Sequence, residues 1–125
     1  MNSAEYIKKA LRTEPKLEFT KTKYIDERLE HAFIGICSEA GEIADLLKKV
    51  KIYKKNIEKI EILEEASDLL WYIAIICDYY KVSFEELMEM NIKKLNKRFP
   101  ESFSSKARDK VNKAKEYSEM NKVIN

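Results

Sequence analysis

Glycine and proline are scarce in this sequence, which has only two of each among its 125 residues. Both residue types concentrate in turns, so their scarcity argues against a turn-rich β protein. Charged residues make up 37% and hydrophobic residues 45% of the chain, and the apolar residues recur at helical rather than alternating spacing. We therefore predict an all-α fold.

Long apolar runs and a large charge of one sign are also missing. The longest apolar run, Leu69–Cys77, is far shorter than the roughly 20 residues that span a bilayer, and no basic segment followed by an apolar run suggests a secretory signal. The formal charge of +2 offers no basic footprint for a nucleic acid polymer. Cys37 and Cys77 lie in apolar helical patterns and read as reduced core residues. We expect a cytoplasmic protein that binds neither membranes nor nucleic acid polymers.

Helix breakers and capping residues divide most of the chain into four predicted helices. Pro15 and Pro100 lie beyond the ends of the first and the fourth, because the residue before a proline is disfavoured in a helix. Asn56 is a candidate cap for the third helix, and Ser83 with Glu86 forms a capping box for the fourth. The approximate bounds are residues 4–12, 26–49, 57–81 and 83–99.

These helices predict a four-helix core of antiparallel helices that is completed by oligomerisation. The core belongs to a domain at residues 1–103, and residues 104–125 form a C-terminal helical extension. The extension is polar with a sparse apolar stripe, so a surface helix, an interface arm and a frayed tail all remain open.

Acidic residues interrupt the apolar patterns of the second and third helices, one helical turn apart. Residues at the same height on two antiparallel helices have residue numbers with a constant sum. If the two helices form a hairpin that turns near residues 53 and 54, one sum pairs Glu39 with Asp68 and also Glu42 with Glu65. Residues three apart differ by about 60° around a helix, so the two acids of each helix also share a face. Four carboxylates are therefore predicted to converge.

Such a cluster has two interpretations. Acids at this spacing are commonly a solvated face paired with lysines, which are plentiful here. Alternatively, carboxylates that would repel one another hold a hard divalent cation, and an all-oxygen ligand set suits Mg²⁺ or Mn²⁺. Both glycines lie within the second helix, where each costs roughly 1 kcal/mol against alanine. We expect Gly41 to admit a neighbouring helix and Gly35 to leave room for a ligand.

Two further features favour the metal-site interpretation. His31, the only histidine, lies about 20° from Glu42 on the helical wheel, toward the mouth of the carboxylate cluster. On the fourth helix, Asn91, Lys94 and Arg98 form a polar row opposite an apolar stripe. Such a row suits phosphate oxygens, which arginine can contact with two parallel hydrogen bonds. Each feature alone has a plainer reading, as a surface histidine and a routine amphipathic helix.

The motifs "EAGE" at residues 39–42 and "EASD" at residues 65–68 resemble the ExxE and ExxD pair of the all-α MazG-like nucleoside triphosphate pyrophosphohydrolases. The likeness covers roughly residues 31–103 and includes "HAFIGICSEAGEIADLLKK", "LEEASDLLWYIAIICDYY" and "MNIKKLNKRFP". Members often carry two acids before the Ala-Gly of the first motif, where this chain has Ser38 and Glu39. The four motif acids are nevertheless intact.

The resemblance implies Mg²⁺-dependent hydrolysis of a (deoxy)nucleoside triphosphate to the monophosphate and pyrophosphate, for nucleotide-pool cleaning or regulation. The residues implied to hold the metal and to act in catalysis are Glu39, Glu42, Glu65 and Asp68. The residues implied to bind substrate are His31, Lys48, Tyr72, Asn91, Lys94 and Arg98. Among these, lysine and arginine are expected at the phosphates, and His31 and Tyr72 at the base or sugar. Trp71 is a further candidate for the base pocket, although core packing explains it better.

Two alternatives to this function remain. Within the same fold, the protein could be a dUTP- or dCTP-specific pyrophosphatase or a phosphoribosyl-ATP pyrophosphohydrolase. In another class, it could be a non-catalytic helical adaptor whose acids lie on a solvated face. Members of the family are generally dimers or tetramers, so the resemblance also implies a homodimer or homotetramer, with residues 104–125 as a candidate interface.

Overall fold

A computed structural model describes residues 1–16 and 26–125 of the chain. In these ranges the protein contains helices and no strand, so the all-α prediction is confirmed. A 3₁₀ turn at Leu11–Thr13 follows the first helix. The helices are α1 (Ser3–Ala10), α2 (Glu27–Lys51), α3 (Lys59–Tyr80), α4 (Phe84–Arg98), α5 (Ser105–Arg108) and α6 (Lys113–Ile124).

Packing divides the chain into two units, Met1–Tyr80 and Lys81–Asn125. The first unit holds α1, α2 and α3, and the second holds α4, α5 and α6. The helical extension expected after residue 103 consists of α5 and α6. The domain boundary expected there, and the completion of the core by another subunit, stay predictions.

Two helices begin close to the residues predicted from the sequence, and a side chain caps each of them. The Asp26 carboxylate accepts a hydrogen bond from the Arg28 backbone N–H at 2.9 Å and begins α2. Ser83 and Glu86 form the predicted capping box of α4, each side chain accepting from the other residue's backbone N–H. The prediction that Asn56 caps the third helix was wrong, because α3 begins only at Lys59. The Glu61 carboxylate accepts from the backbone N–H of Glu58 just before that start, at 2.7 Å.

Helices α2 and α3 pack along each other as the predicted hairpin. In the connection between them, Lys54 has a φ of 53°, in the left-handed region, at the predicted position of the turn. The buried Gly35 of α2 lies directly against the ring of Tyr72 on α3, and a Cβ at residue 35 would overlap that ring. These two residues have the same residue-number sum as the two acid pairs. The predicted register of the hairpin is therefore confirmed by a contact outside the acids.

The expectation that Gly35 leaves room for a ligand was wrong. Its missing side chain makes room for Tyr72 rather than for a ligand. Gly41 has no described atom within 4 Å of where a Cβ would stand, so no helix of the described chain packs onto it. The helix expected beside Gly41 is therefore not found among residues 1–16 and 26–125.

Two sets of polar contacts fasten the N-terminal segment to the hairpin. The Trp71 indole N–H donates to the Ala10 carbonyl and to the Thr13 hydroxyl, both at 3.0 Å. Arg28 donates to both carboxylate oxygens of Glu14, at 2.6 and 2.7 Å, and to Asp78 at 2.7 Å. The first contact joins the segment to α3, and the second joins it to the open end of the hairpin.

In the second unit, α4 and α6 pack together. Their joint contains a charged pair, in which Arg98 of α4 meets Glu116 of α6 through two hydrogen bonds of 2.8 Å. Glu116 is only 2% exposed. Within residues 1–16 and 26–125, none of the helices combines the length and apolarity that a membrane crossing requires.

Gly35→Ala is expected to lower the melting temperature, because the added methyl group overlaps the Tyr72 ring, which His31 and Trp71 confine. Overpacking of this kind costs roughly 1–3 kcal/mol, which outweighs the ~1 kcal/mol that alanine gains in helix propensity. Gly41→Ala is the matched control and should raise the melting temperature, because its methyl group meets open space. Thermal unfolding followed by circular dichroism compares the three proteins. Equal shifts in the two variants would contradict the packing role of Gly35.

Candidate metal and substrate site

The contact between Gly35 and Tyr72 decides which faces of α2 and α3 meet. On α2, Glu39 and Glu42 lie about 40° and 20° from Gly35 around the helix axis. On α3, Asp68 and Glu65 lie at the same angles from Tyr72. All four acids therefore lie on or beside the faces that the two helices turn toward each other.

Three of these acids come together. Glu39, Glu65 and Asp68 each offer one carboxylate oxygen such that the three atoms lie within 4.8 Å of one another. Glu39 and Glu65 are half-buried, and Asp68 is exposed. We call these three residues the carboxylate cluster. Its members come from both helices, so the cluster depends on the hairpin rather than on either helix alone.

Glu42 is exposed and does not join this three-residue group. Its charge still reaches the cluster, because the pKa of Glu65 is raised first by burial and then by the neighbouring charges. These charges are, in order of effect, Glu42, Glu39, Glu64 and Asp68. The structure thus brings three of the four predicted ligands together and places the fourth within electrostatic reach of Glu65.

The chemistry of the carboxylate cluster fits a divalent cation. Negative groups this close disfavour one another's charged forms, and this repulsion adds to the larger effect of burial in raising the pKa of Glu65. A cation between them would reverse it. Oxygen donors alone are the ligands of hard cations such as Mg²⁺, Mn²⁺ and Ca²⁺, and they are a poor set for zinc in a structural site.

Lys48, the weakest of the predicted phosphate ligands, is paired within its own helix. Its ammonium contacts the Asp45 carboxylate one turn earlier, and Lys49 lies 3.7 Å from the other oxygen of Asp45. The hydrogen bond that the Lys48 ammonium donates to Asp45 is the largest cause that raises the pKa of Lys48. Asp45, the third acid in step with Glu39 and Glu42, is thus partnered by lysines and lies apart from the carboxylate cluster.

The three aromatic candidates form one group in the first unit. His31 packs edge-on against Trp71 and Tyr72, with ring centroids 6.0 and 5.6 Å apart, and the two latter rings are 4.9 Å apart. Tyr72 fills the gap above Gly35, and Trp71 donates to the N-terminal segment. Packing therefore accounts for Trp71, as the sequence suggested. His31 and Tyr72 stay candidates for contact with a base or sugar.

The remaining candidates lie on α4, in the second unit. Asn91 is exposed, Lys94 is half-buried, and Arg98 is held by Glu116. The polar row therefore exists on the helix as predicted, but one of its two cations already has an anionic partner. The use of these residues in substrate binding stays a prediction.

Sequence reasoning missed two residues next to the predicted ones. The hydroxyl of Tyr6 on α1 has a raised pKa, caused by burial and by the nearby charge of Asp68. Glu116 pairs with Arg98 from α6. Neither residue has a local signal, because each meets its partner through packing of helices far apart in sequence. The Arg28–Asp78 pair could have been predicted from the sequence, because the two residue numbers have nearly the same sum as those of the acid pairs.

Comparison with known proteins identifies the family to which the chain is similar. The MazG nucleotide pyrophosphohydrolase domain matches residues 28–103, which include all four acids and α4 but neither α1 nor α6. The uncharacterized protein YvdC of Bacillus subtilis (strain 168) is 34% identical over 73 residues, covering 51% of this chain and 69% of that protein. The gene 37 protein of Mycobacterium phage L5 is 29% identical over 76 residues, covering 58% of this chain and 67% of the phage protein. No solved structure matches the chain.

Magnesium chloride is expected to raise the melting temperature of the wild type, by roughly 5 °C or more at saturation, because the cation binds only the folded cluster. Glu65→Gln should raise the melting temperature in the presence of a chelator, because it removes one of the crowded charges, and should lose most of the response to Mg²⁺. Differential scanning fluorimetry with and without Mg²⁺ measures both effects.

The matched control for this experiment is Glu64→Gln. It removes the same charge one position earlier, from an exposed residue outside the carboxylate cluster, and should keep the response to Mg²⁺. A wild type whose melting temperature does not change with Mg²⁺ or Mn²⁺ would contradict a metal site. That result would favour a helical adaptor whose acids lie on a solvated face.

Proposed function

Because the chain belongs to the MazG nucleotide pyrophosphohydrolase family, we propose that it hydrolyses a (deoxy)nucleoside triphosphate to the monophosphate and pyrophosphate with the help of Mg²⁺. One observation carries the proposal above all. Within the stretch that matches the family, two helices bring Glu39, Glu65 and Asp68 together so that their oxygens lie within 4.8 Å. The proposed task is cleaning or regulation of a nucleotide pool, and its expected cytoplasmic location stays a prediction.

The carboxylate cluster would hold the cation, with Glu42 as a further ligand that approaches when the cation and substrate bind. A divalent cation bound there would offset the charge of phosphate oxygens and make a neighbouring water a better nucleophile. Glu39 is half-buried beside the other two acids, and we assign it the orientation and deprotonation of the attacking water. Phosphoryl transfer needs little else from the protein than such positioning and charge neutralisation.

Substrate recognition is proposed to use the remaining residues that the sequence predicts. Lys94 and Arg98 would contact phosphate oxygens, and Asn91 would hydrogen-bond to a phosphate or the sugar. His31 and Tyr72 present an aromatic group to the base or sugar. Lys48 is a weaker phosphate ligand, because Asp45 already holds its ammonium.

A panel of nucleotides is expected to reveal at least one substrate that releases pyrophosphate in the presence of Mg²⁺. The panel should contain the common ribo- and deoxyribonucleoside triphosphates, dUTP, dCTP, modified nucleotides and phosphoribosyl-ATP, with products identified by chromatography. Glu39→Gln should lower kcat by about 100-fold or more, since several kcal/mol of transition-state stabilisation depend on the metal site. Glu42→Gln alters an exposed acid outside the three-residue cluster and should lower kcat less than Glu39→Gln does.

Glu64→Gln again serves as the control, because it changes the charge without touching the carboxylate cluster. The outcome that would count decisively against the proposal is a folded protein that binds Mg²⁺ but releases pyrophosphate from none of these compounds. A single strongly preferred nucleotide would instead identify one of the specific pyrophosphatases of the same fold.

We also propose that the chain acts as a homodimer or homotetramer. Helices α2 and α3 leave large apolar side chains in water, with exposed fractions of 64% for Ile34, 56% for Leu47 and 65% for Ile60. Contiguous apolar patches on a surface mark interaction sites, and we propose that these residues form such a patch.

Light scattering coupled to size-exclusion chromatography should therefore give a mass that is a multiple of the 14.8 kDa chain. Ile34→Lys is expected to shift this mass toward the monomer, because it puts a charge into an apolar interface. Ile52→Lys is the matched control, since Ile52 is 67% exposed but follows the end of α2. A monomeric mass at every protein concentration would contradict the proposed assembly.

A further inference from the structure

Arg98 and Glu116 form a largely buried ion pair. The Glu116 side chain is 2% exposed and the Arg98 side chain 20% exposed. Arg98 donates from Nε to one carboxylate oxygen and from Nη2 to the other, both at 2.8 Å. This two-bond geometry fixes the plane of the guanidinium as well as its position.

Glu116 is surrounded by positive charge on both helices that it touches. Lys113 of α6 lies 3.7 Å from one carboxylate oxygen. The hydrogen bond and charge of Arg98, with the charges of Lys113 and Lys94, hold the pKa of Glu116 below its ordinary range. The carboxylate is therefore ionised at neutral pH, so the pair joins two full charges.

The pairing leaves donors of Arg98 for a second anion. A guanidinium has five N–H donors, and the described contacts with Glu116 use only the edge formed by Nε and Nη2. The opposite edge, formed by the two Nη atoms, keeps two parallel N–H groups. That edge has the shape that phosphate oxygens accept.

Glu116 comes from a part of the chain outside the family match, which ends at residue 103. Arg98 lies inside the match and belongs to the polar row with Asn91 and Lys94. A helix beyond the family domain thus supplies the carboxylate that holds a residue within it. An unheld arginine has several rotatable bonds, and ordering it on binding lowers affinity.

We propose that Glu116 is a positioning residue that holds Arg98 in the orientation in which its free edge binds a phosphate of the substrate. The inference rests on the proposed function, because it takes Arg98 as a phosphate ligand. According to this inference, α6 contributes to substrate binding, and the loss of Glu116 affects that binding only through Arg98.

The test measures KM and kcat for the best nucleotide of the panel and, independently of turnover, the affinity for inorganic pyrophosphate by calorimetry. Glu116→Gln should raise KM and weaken pyrophosphate binding by roughly tenfold, as expected when a binding group is misplaced. It should change kcat less than about twofold, because the metal site is untouched. Glu116→Asp keeps the charge but shortens the side chain. Its KM and pyrophosphate affinity should lie between those of the wild type and of Glu116→Gln, and it replaces the glutamine variant if that variant does not fold.

A double variant separates positioning from a merely structural role. In an Arg98→Ala background, Glu116→Gln should add nothing to the rise in KM or to the loss of pyrophosphate affinity. A structural role of Glu116 apart from this pair would add its effect in both backgrounds, and a structural role of the pair itself would lower the melting temperature of Glu116→Gln without weakening pyrophosphate binding. Glu119→Gln is the matched control, because Glu119 is on the same helix and pairs with Lys122 rather than with Arg98. It should leave KM and pyrophosphate affinity unchanged.

Three results would overturn the inference in a folded protein. The first is an unchanged KM and pyrophosphate affinity in Glu116→Gln. The second is tighter phosphate binding in that variant, which would show that Glu116 competes with substrate for Arg98. The third is an effect of Glu116→Gln that persists in full without Arg98. Absence of hydrolysis by the wild type would overturn the proposed function instead, and the pyrophosphate titration would still decide the role of Glu116.

Discussion

The close approach of α2 and α3 at Gly35 is the contact on which the rest of the first unit depends. The Tyr72 ring occupies the place of a side chain at residue 35, so the hairpin is held in a single register. A shift of one residue would rotate the acids of α3 by about 100° away from those of α2. The roughly 1 kcal/mol that glycine costs in a helix is thus offset by a contact that aligns Glu39 with Asp68.

This register brings the acids of α2 and α3 together, and the repulsion between their charges opposes the packing of the two helices. Burial raises the pKa of Glu65, and the charges of Glu42, Glu39, Glu64 and Asp68 raise it further, so the acids repel one another where the two helices meet. The hairpin is closed at one end by the turn at Lys54 and at the other by Arg28, which joins Glu14 and Asp78. The turn at one end and the ion pairs at the other therefore hold the acids together between them.

The sequence predicts those features that depend on spacing within one helix or on two helices joined by a short turn. The capping box at Ser83 is an example of the first kind, and the register of the acids is an example of the second. It could not predict that Tyr72 would fill the space at Gly35, because the helical wheel gives a direction but no side-chain conformation. The Arg98–Glu116 pair and the place of Tyr6 near Asp68 were also out of reach. Their partners meet through packing that no local period encodes.

Two arginines of this chain show why residue type alone does not assign a role. Arg28 uses both edges of its guanidinium, with Nε and Nη2 on Glu14 and Nη1 on Asp78. It therefore joins three segments and has little left to offer a ligand. Arg98 meets one carboxylate along one edge only, so the same pairing with glutamate orients it and leaves two donors aligned. The sequence does not mark this difference, and only the count of engaged donors distinguishes the structural link from the candidate phosphate ligand.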